Sequence, residues 1–104
     1  MKGLKDKVVI VTGGAGGIGS ATCRRLAEEG AKVAIFDMNI EAAEKLAQEI
    51  NHQNGQALAV QCDITQSDVV EQAVQQVETA LGPIDGLVNN AGWDIFKPFV
   101  KSNP

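Results

Sequence analysis

The stretch VVIVTGGAGGIGSA, residues 8–21, sets five glycines into the seven positions 13–19, directly after five β-branched residues. Glycine loses more backbone entropy on ordering than any other residue. A chain that gathers glycines at one junction therefore needs a backbone without side chains there. The run before them, KVVIV at 7–11, is short, continuous and β-branched. It predicts a strand covered on both faces. The residues after them predict a helix. Ile18, Ala21, Thr22 and Leu26 fall on one stripe, with Arg24/Glu28 and Arg25/Glu29 as i,i+4 pairs on the other side.

The same alternation continues along the chain. Further short apolar runs are KVAIF at 32–36, ALAV at 57–60 and IDGLVN at 84–89. Ile40, Ala43, Leu46, Ala47 and Ile50 form a second helical stripe, and Val70, Ala73, Val74, Val77 and Leu81 a third. Gly30 can supply a left-handed residue after the first helix, and Asn54-Gly55 punctuates the second. Thr65, with Asp68 three positions on, resembles a capping box for the third, which Gly82-Pro83 stops. The pattern β-α-β-α-β-α-β predicts a three-layer α/β fold: a doubly wound, Rossmann-type parallel sheet with right-handed crossovers and strand order 3-2-1-4.

Composition narrows the function. The 104 residues carry a formal charge of -4, are 44% hydrophobic and 21% charged, and suit one small domain. With no basic patch, a nucleic-acid partner is not expected. The apolar runs are too short to span a membrane, and MKGLKDK at 1–7 lacks the long apolar stretch of a signal peptide, so none is expected. Cys23 and Cys62 lack ligand-like spacing and read as free thiols of a cytoplasmic protein, with no metal site. His52, Lys97 and Lys101 read as surface residues, and Phe96, Pro98 and Phe99 as packing residues. Trp93 either lines a pocket or covers the sheet end.

The glycine loop lies where a strand hands over to a helix. Unpaired N–H groups at a helix N-terminus attract phosphate, and a diphosphate can approach them closely only where no Cβ intervenes. Gly13, Gly17 and Gly19 have the spacing G-x-x-x-G-x-G, not the commoner G-x-G-x-x-G. Taken alone, the run is also what a ligand-free βα turn would contain. Three further features stand at predicted strand ends. Asp37 lies 18 residues after Gly19, where doubly wound folds place a carboxylate for ribose hydroxyls, although it could equally cap the second helix. Asp63 follows the third strand, or simply forms a turn before Thr65. Asn89-Asn90-Ala91-Gly92 leaves the fourth. Each has a bland explanation singly; together they mark the edge of the sheet where ligands bind.

TGGAGGIG at 12–19 and NNAG at 89–92, with CDI at 62–64, resemble the signatures of the short-chain dehydrogenases/reductases over essentially the whole chain. The resemblance implies NAD binding. Gly13, Gly16, Gly17, Ile18 and Gly19 would surround the pyrophosphate and Asp37 would hold the adenosine ribose. Asp63 and Ile64 would flank the adenine, and Asn90, Ala91 and Gly92 would lie along the cofactor. More narrowly, the sequence resembles 2-hydroxycyclohexanecarboxyl-CoA dehydrogenases, which oxidise an alicyclic hydroxyacyl thioester to a ketone. The family's catalytic residues are a Ser, a Tyr-x-x-x-Lys pair and an Asn, beyond the second signature. This sequence has no tyrosine, and Ser20, Ser67 and Ser102 do not match the catalytic position.

Residues 1–104 are therefore expected to be the NAD-binding half of a single domain, ending before its catalytic segment. The full-length parent would be a homo-oligomeric oxidoreductase acting on a small hydroxy or keto substrate. Two other classes stay open: a stand-alone dinucleotide-binding module without catalysis, and an interaction fragment whose open strand edge pairs with another chain.

Overall fold

The computed structural model of the protein describes residues 4–90. Its elements are β1 (Val8–Thr12), α1 (Gly17–Glu28), β2 (Lys32–Asp37), α2 (Ile40–His52), β3 (Gln56–Gln61), α3 (Ser67–Leu81) and β4 (Ile84–Asn89). All strand pairs are parallel, in the expected order β3-β2-β1-β4. The continuous β-branched runs explain why β1 and β2 occupy the centre. Every residue of β1 is buried, and so are Val33, Ala34, Ile35 and Phe36 of β2. Alternation along each strand then divides the apolar side chains between two faces.

One face carries Val9, Val11, Val33 and Ile35, packed with Cys23 of α1 and with Ala43, Leu46, Ala47 and Ile50 of α2. The other carries Val8, Ile10, Ala34, Phe36 and Val60, packed with Val70, Ala73 and Val77 of α3. The second and third helical stripes thus face the core as expected, with Ala43, Leu46, Ala47, Ile50, Val70, Ala73 and Val77 buried and Ile40, Val74 and Leu81 half-buried. Gly30 has φ +94, the left-handed region that favours glycine, and Asn54 has φ +70.

Three local expectations need correction. In α1 the buried positions are Gly19 and Cys23; Ala21 is exposed and Ile18 is 79% exposed. The buried face of α1 runs through Gly19, Cys23, Leu26 and Ala27, one position round the helix from Ile18. Arg25 does pair with Glu29 at 3.1 Å, but Arg24 reaches across to Glu49 of α2 instead of down its own helix to Glu28. Thr65 does not cap α3. The N-cap is Gln66, without a side-chain bond, and the Thr65 hydroxyl donates to Asp63 Oδ1 at 2.6 Å. A two-residue turn offered that hydroxyl a carboxylate closer than the helix amides.

The strand registers set the site. Thr12 pairs with Phe36 on one side and Asn89 on the other, and Asp37 pairs with Gln61. The carboxyl ends of all four strands therefore finish at one edge. At the opposite edge, the β1–β4 register shifts between Val8 and Val9, where Val8 N donates to Asp85 Oδ2 at 2.9 Å.

Candidate functional site

The glycines sort by what a side chain would meet. Gly13 turns the chain at φ +64. A Cβ on Gly14 would fall 2.8 Å from Ile35 Cγ2, and one on Gly19 would fall 2.1 Å from the Gly13 carbonyl oxygen. These two glycines are required by the turn itself, which folds α1 tightly over the end of β1. Gly16 and Gly17 are different. A Cβ on Gly16 would make only an ordinary contact of 3.6 Å with Gly13 O, and one on Gly17 would meet nothing within 4 Å. Nothing inside the fold requires glycine at 17, yet it opens α1. That helix start has no side-chain cap, with Gly16 as its N-cap residue. Its first-turn amides carry the partial positive charge of a helix N-terminus.

The loop is tied to the next strand. Gly13 N and Gly14 N donate to Phe36 O at 2.8 and 3.3 Å, and Ala15 N donates to Asp37 Oδ2 at 3.0 Å. The other Asp37 oxygen accepts from Asn39 N at 2.9 Å, and Asn39 caps α2 by accepting from Ala42 N. Asp37 thus does not cap α2 itself, as one sequence alternative held; Asn39 does, and Asp37 supports it while also holding the glycine loop.

A cleft of about 120 Å³ opens beside the loop, lined by Gly13, Phe36, Asp37, Met38, Cys62, Asp63 and Ile64. Four of the expected residues, Gly13, Asp37, Asp63 and Ile64, meet there. Asp63 Oδ1 accepts from both the amide and the hydroxyl of Thr65, and these bonds hold its carboxyl below the ordinary aspartate value. Burial, with Asp63 alongside, pushes the Cys62 thiol up to about 11, so at neutral pH it is a protonated wall and not a nucleophile. Cys23 is likewise free and buried, on the opposite face of the sheet. The cleft lining holds two carboxylates and no lysine or arginine. Met38, 62% exposed, is a lining residue that the periodicity did not single out; its position directly after Asp37 was the available signal.

At the β4 end, the fully buried Thr12 hydroxyl donates to Asn89 Oδ1 at 2.8 Å, and Asn90 N donates to Thr12 O at 3.2 Å. This fixes the path of the chain into the second signature. Ala91 and Gly92, like Trp93, Phe96, Lys97, Pro98, Phe99, Lys101 and Ser102, lie outside the described residues. Among the described residues no helix is long and apolar enough to cross a membrane, and no group of three or more His, Cys, Asp or Glu could hold a metal.

A parallel sheet wound in this order, with a glycine turn open at its carboxyl edge, defines a dinucleotide-type α/β scaffold. The chain belongs to the short-chain dehydrogenase family, whose model matches residues 7–104. It is 50% identical to the uncharacterized oxidoreductase YuxG of Bacillus subtilis over 93% of this chain and 14% of the relative. It is 38% identical to 2,3-dihydro-2,3-dihydroxybenzoate dehydrogenase of the same organism over 88% of this chain and 35% of the relative. Among solved structures, an oxidoreductase from Haemophilus influenza with bound NAD superposes with a TM-score of 0.78 at 36% identity, over 81% of this chain and 30% of that one. The chain thus spans about a third or less of the length of these relatives.

Proposed function

We propose that residues 1–104 are the NAD-binding part of an oxidoreductase acting on secondary alcohols or ketones. The observation that carries this reading is the uncapped start of α1, open at Gly16 and Gly17, standing beside Asp37. The residues fit the cofactor. The amides at Gly13, Gly16, Gly17, Ile18 and Gly19 would receive the pyrophosphate, whose charge suits the helix start. Asp37 would accept bonds from the adenosine ribose hydroxyls through lone pairs that Ala15 and Asn39 leave over. Asp63 and Ile64 would border the adenine in the cleft, and Asn90, Ala91 and Gly92 would follow the nicotinamide side. When bound, NAD supplies the hydride acceptor. Two likenesses support an alicyclic hydroxy substrate, with an alicyclic 2-hydroxyacyl-CoA as the narrower candidate. The sequence resemblance names the thioester, and one relative bears the name of a cyclic diol dehydrogenase. A cytoplasmic homo-oligomeric parent belongs to the same reading.

NAD is expected over NADP. Asp37 would repel a 2′-phosphate, and neither Met38 nor Gly16 offers it a cation. Hydrogen bonds to a charged group contribute about 1.5–3 kcal/mol. Losing them should weaken NADP about tenfold or more relative to NAD. Titrating both cofactors against the fluorescence of Trp93, the single tryptophan, measures this. Equal or tighter NADP binding would remove the role given to Asp37.

A further inference from the structure

The geometry points to Asp37 as a positioning residue that holds the glycine loop in its binding shape before any ligand arrives. This deepens the proposed function but rests on it only for the identity of the ligand. Four successive loop amides, at residues 13–16, are satisfied from within the protein. Gly13 N and Gly14 N use the Phe36 carbonyl, at 2.8 and 3.3 Å, and Gly16 N uses Gly13 O at 3.3 Å. Those three bonds are backbone to backbone and survive any side-chain substitution. The fourth does not. Ala15 N has Asp37 Oδ2, at 3.0 Å, and no other acceptor.

Ala15 stands midway between the turn at Gly13 and the helix start at Gly17. It lies among glycines, whose unrestrained backbone entropy is the largest of any residue. Its side chain packs against the core, and the bond from its amide to Asp37 Oδ2 adds the polar restraint that fixes the peptide's direction there. The second Asp37 oxygen holds Asn39 N at 2.9 Å, so one carboxylate ties the starts of α1 and α2 together. Affinity for a phosphate ligand then depends on Asp37 even when that ligand has no ribose, because a preorganised loop loses less freedom on binding. Replacing Asp37 to relieve 2′-phosphate repulsion would also loosen the loop, and NAD affinity would fall without a matching gain for NADP.

The test compares Asp37→Asn with Asp37→Ala in the full chain. Both remove the charge, but only Asn keeps one carbonyl acceptor. In ligand-free protein, amide hydrogen exchange followed by NMR should accelerate about ten- to a hundredfold at Ala15 and Asn39 in Asp37→Ala. Amides of β1 and β2 should be unchanged. In Asp37→Asn one of the two amides should stay protected. Inorganic pyrophosphate, which has no ribose, should bind Asp37→Asn about two- to tenfold more tightly than Asp37→Ala. Unchanged exchange at Ala15 in Asp37→Ala, or equal pyrophosphate affinity in the two variants, would overturn the inference. Should Asp37→Ala fail to fold, the loss of protection at one of the two amides in Asp37→Asn still decides it, and full protection at both would overturn it. Pyrophosphate that binds none of the proteins, with exchange altered as expected, would count against the proposed ligand and leave the loop clamp standing.

Discussion

Gly17→Val should keep its fold and lose NAD binding by a hundredfold or more. A Cβ at position 17 meets nothing within 4 Å, so the larger side chain has room in the ligand-free protein. Valine is no worse a helix former than glycine, both lying within about 1 kcal/mol of alanine, so α1 should persist. The same side chain projects where a pyrophosphate must approach the first-turn amides. Two charge-assisted hydrogen bonds lost at about 1.5–3 kcal/mol each give a loss of about 10² or more. Gly19→Ala is the contrasting variant. Its Cβ would lie 2.1 Å from the Gly13 carbonyl oxygen, and that backbone atom cannot move aside without opening the turn. Far-UV circular dichroism melts should therefore separate the two, with Gly17→Val near the unaltered protein and Gly19→Ala clearly destabilised. NAD binding retained in folded Gly17→Val would mean that the glycines serve the turn alone.

This division among the glycines marks how far the sequence could be read. Continuous apolar runs and period-3.6 stripes depend on neighbours along the chain, so the strands, α2 and α3 were legible from residues such as Ile35, Leu46 and Val77, and the order 3-2-1-4 followed from the doubly wound pattern they make. The α1 stripe was misplaced because small residues such as Gly19 and Cys23, which carry little apolar signal, form the face that meets the sheet. Ile18 fits the period and still projects into open space. Thr65 fits a capping pattern, yet Gln66 takes the N-cap position and the Thr65 hydroxyl donates to Asp63; spacing does not say whether a hydroxyl will accept from helix amides or donate to a nearby carboxylate. The glycine spacing located the site but could not separate Gly14 and Gly19, required by close packing, from Gly16 and Gly17, which face outward. Likewise, the bond from Ala15 to Asp37 joins residues 22 positions apart and follows from the parallel register of β1 and β2, not from any local motif.

The 104-residue chain alone should show no detectable turnover of a secondary alcohol, even with NAD bound. Oxidation requires a group to take the hydroxyl proton as hydride leaves, and a positioned acid–base group typically contributes about 10²–10⁴-fold. Such a group works best with a pKa near the operating pH. None in the cleft qualifies. The Thr65 hydrogen bonds hold Asp63 low, leaving a weak base. Burial first, then Asp63, holds Cys62 at about 11, leaving a protonated thiol. Asp37 is assigned to the adenosine ribose, at the other end of the cofactor from the nicotinamide, and holds the amides of Ala15 and Asn39. His52, the single histidine, ends α2, at the sheet edge opposite the cleft, and the sequence contains no tyrosine. The assay is NAD reduction with an alicyclic 2-hydroxyacyl-CoA and with simple secondary alcohols. Adding in trans a relative's downstream segment bearing Tyr-x-x-x-Lys should restore turnover if the chain is the cofactor-binding part of an oxidoreductase. A chain that binds NAD but gains nothing from that segment would instead be a dinucleotide-binding module. Turnover by the purified chain alone would show that a residue outside this cleft supplies the base, and would overturn the division between cofactor binding and catalysis argued here.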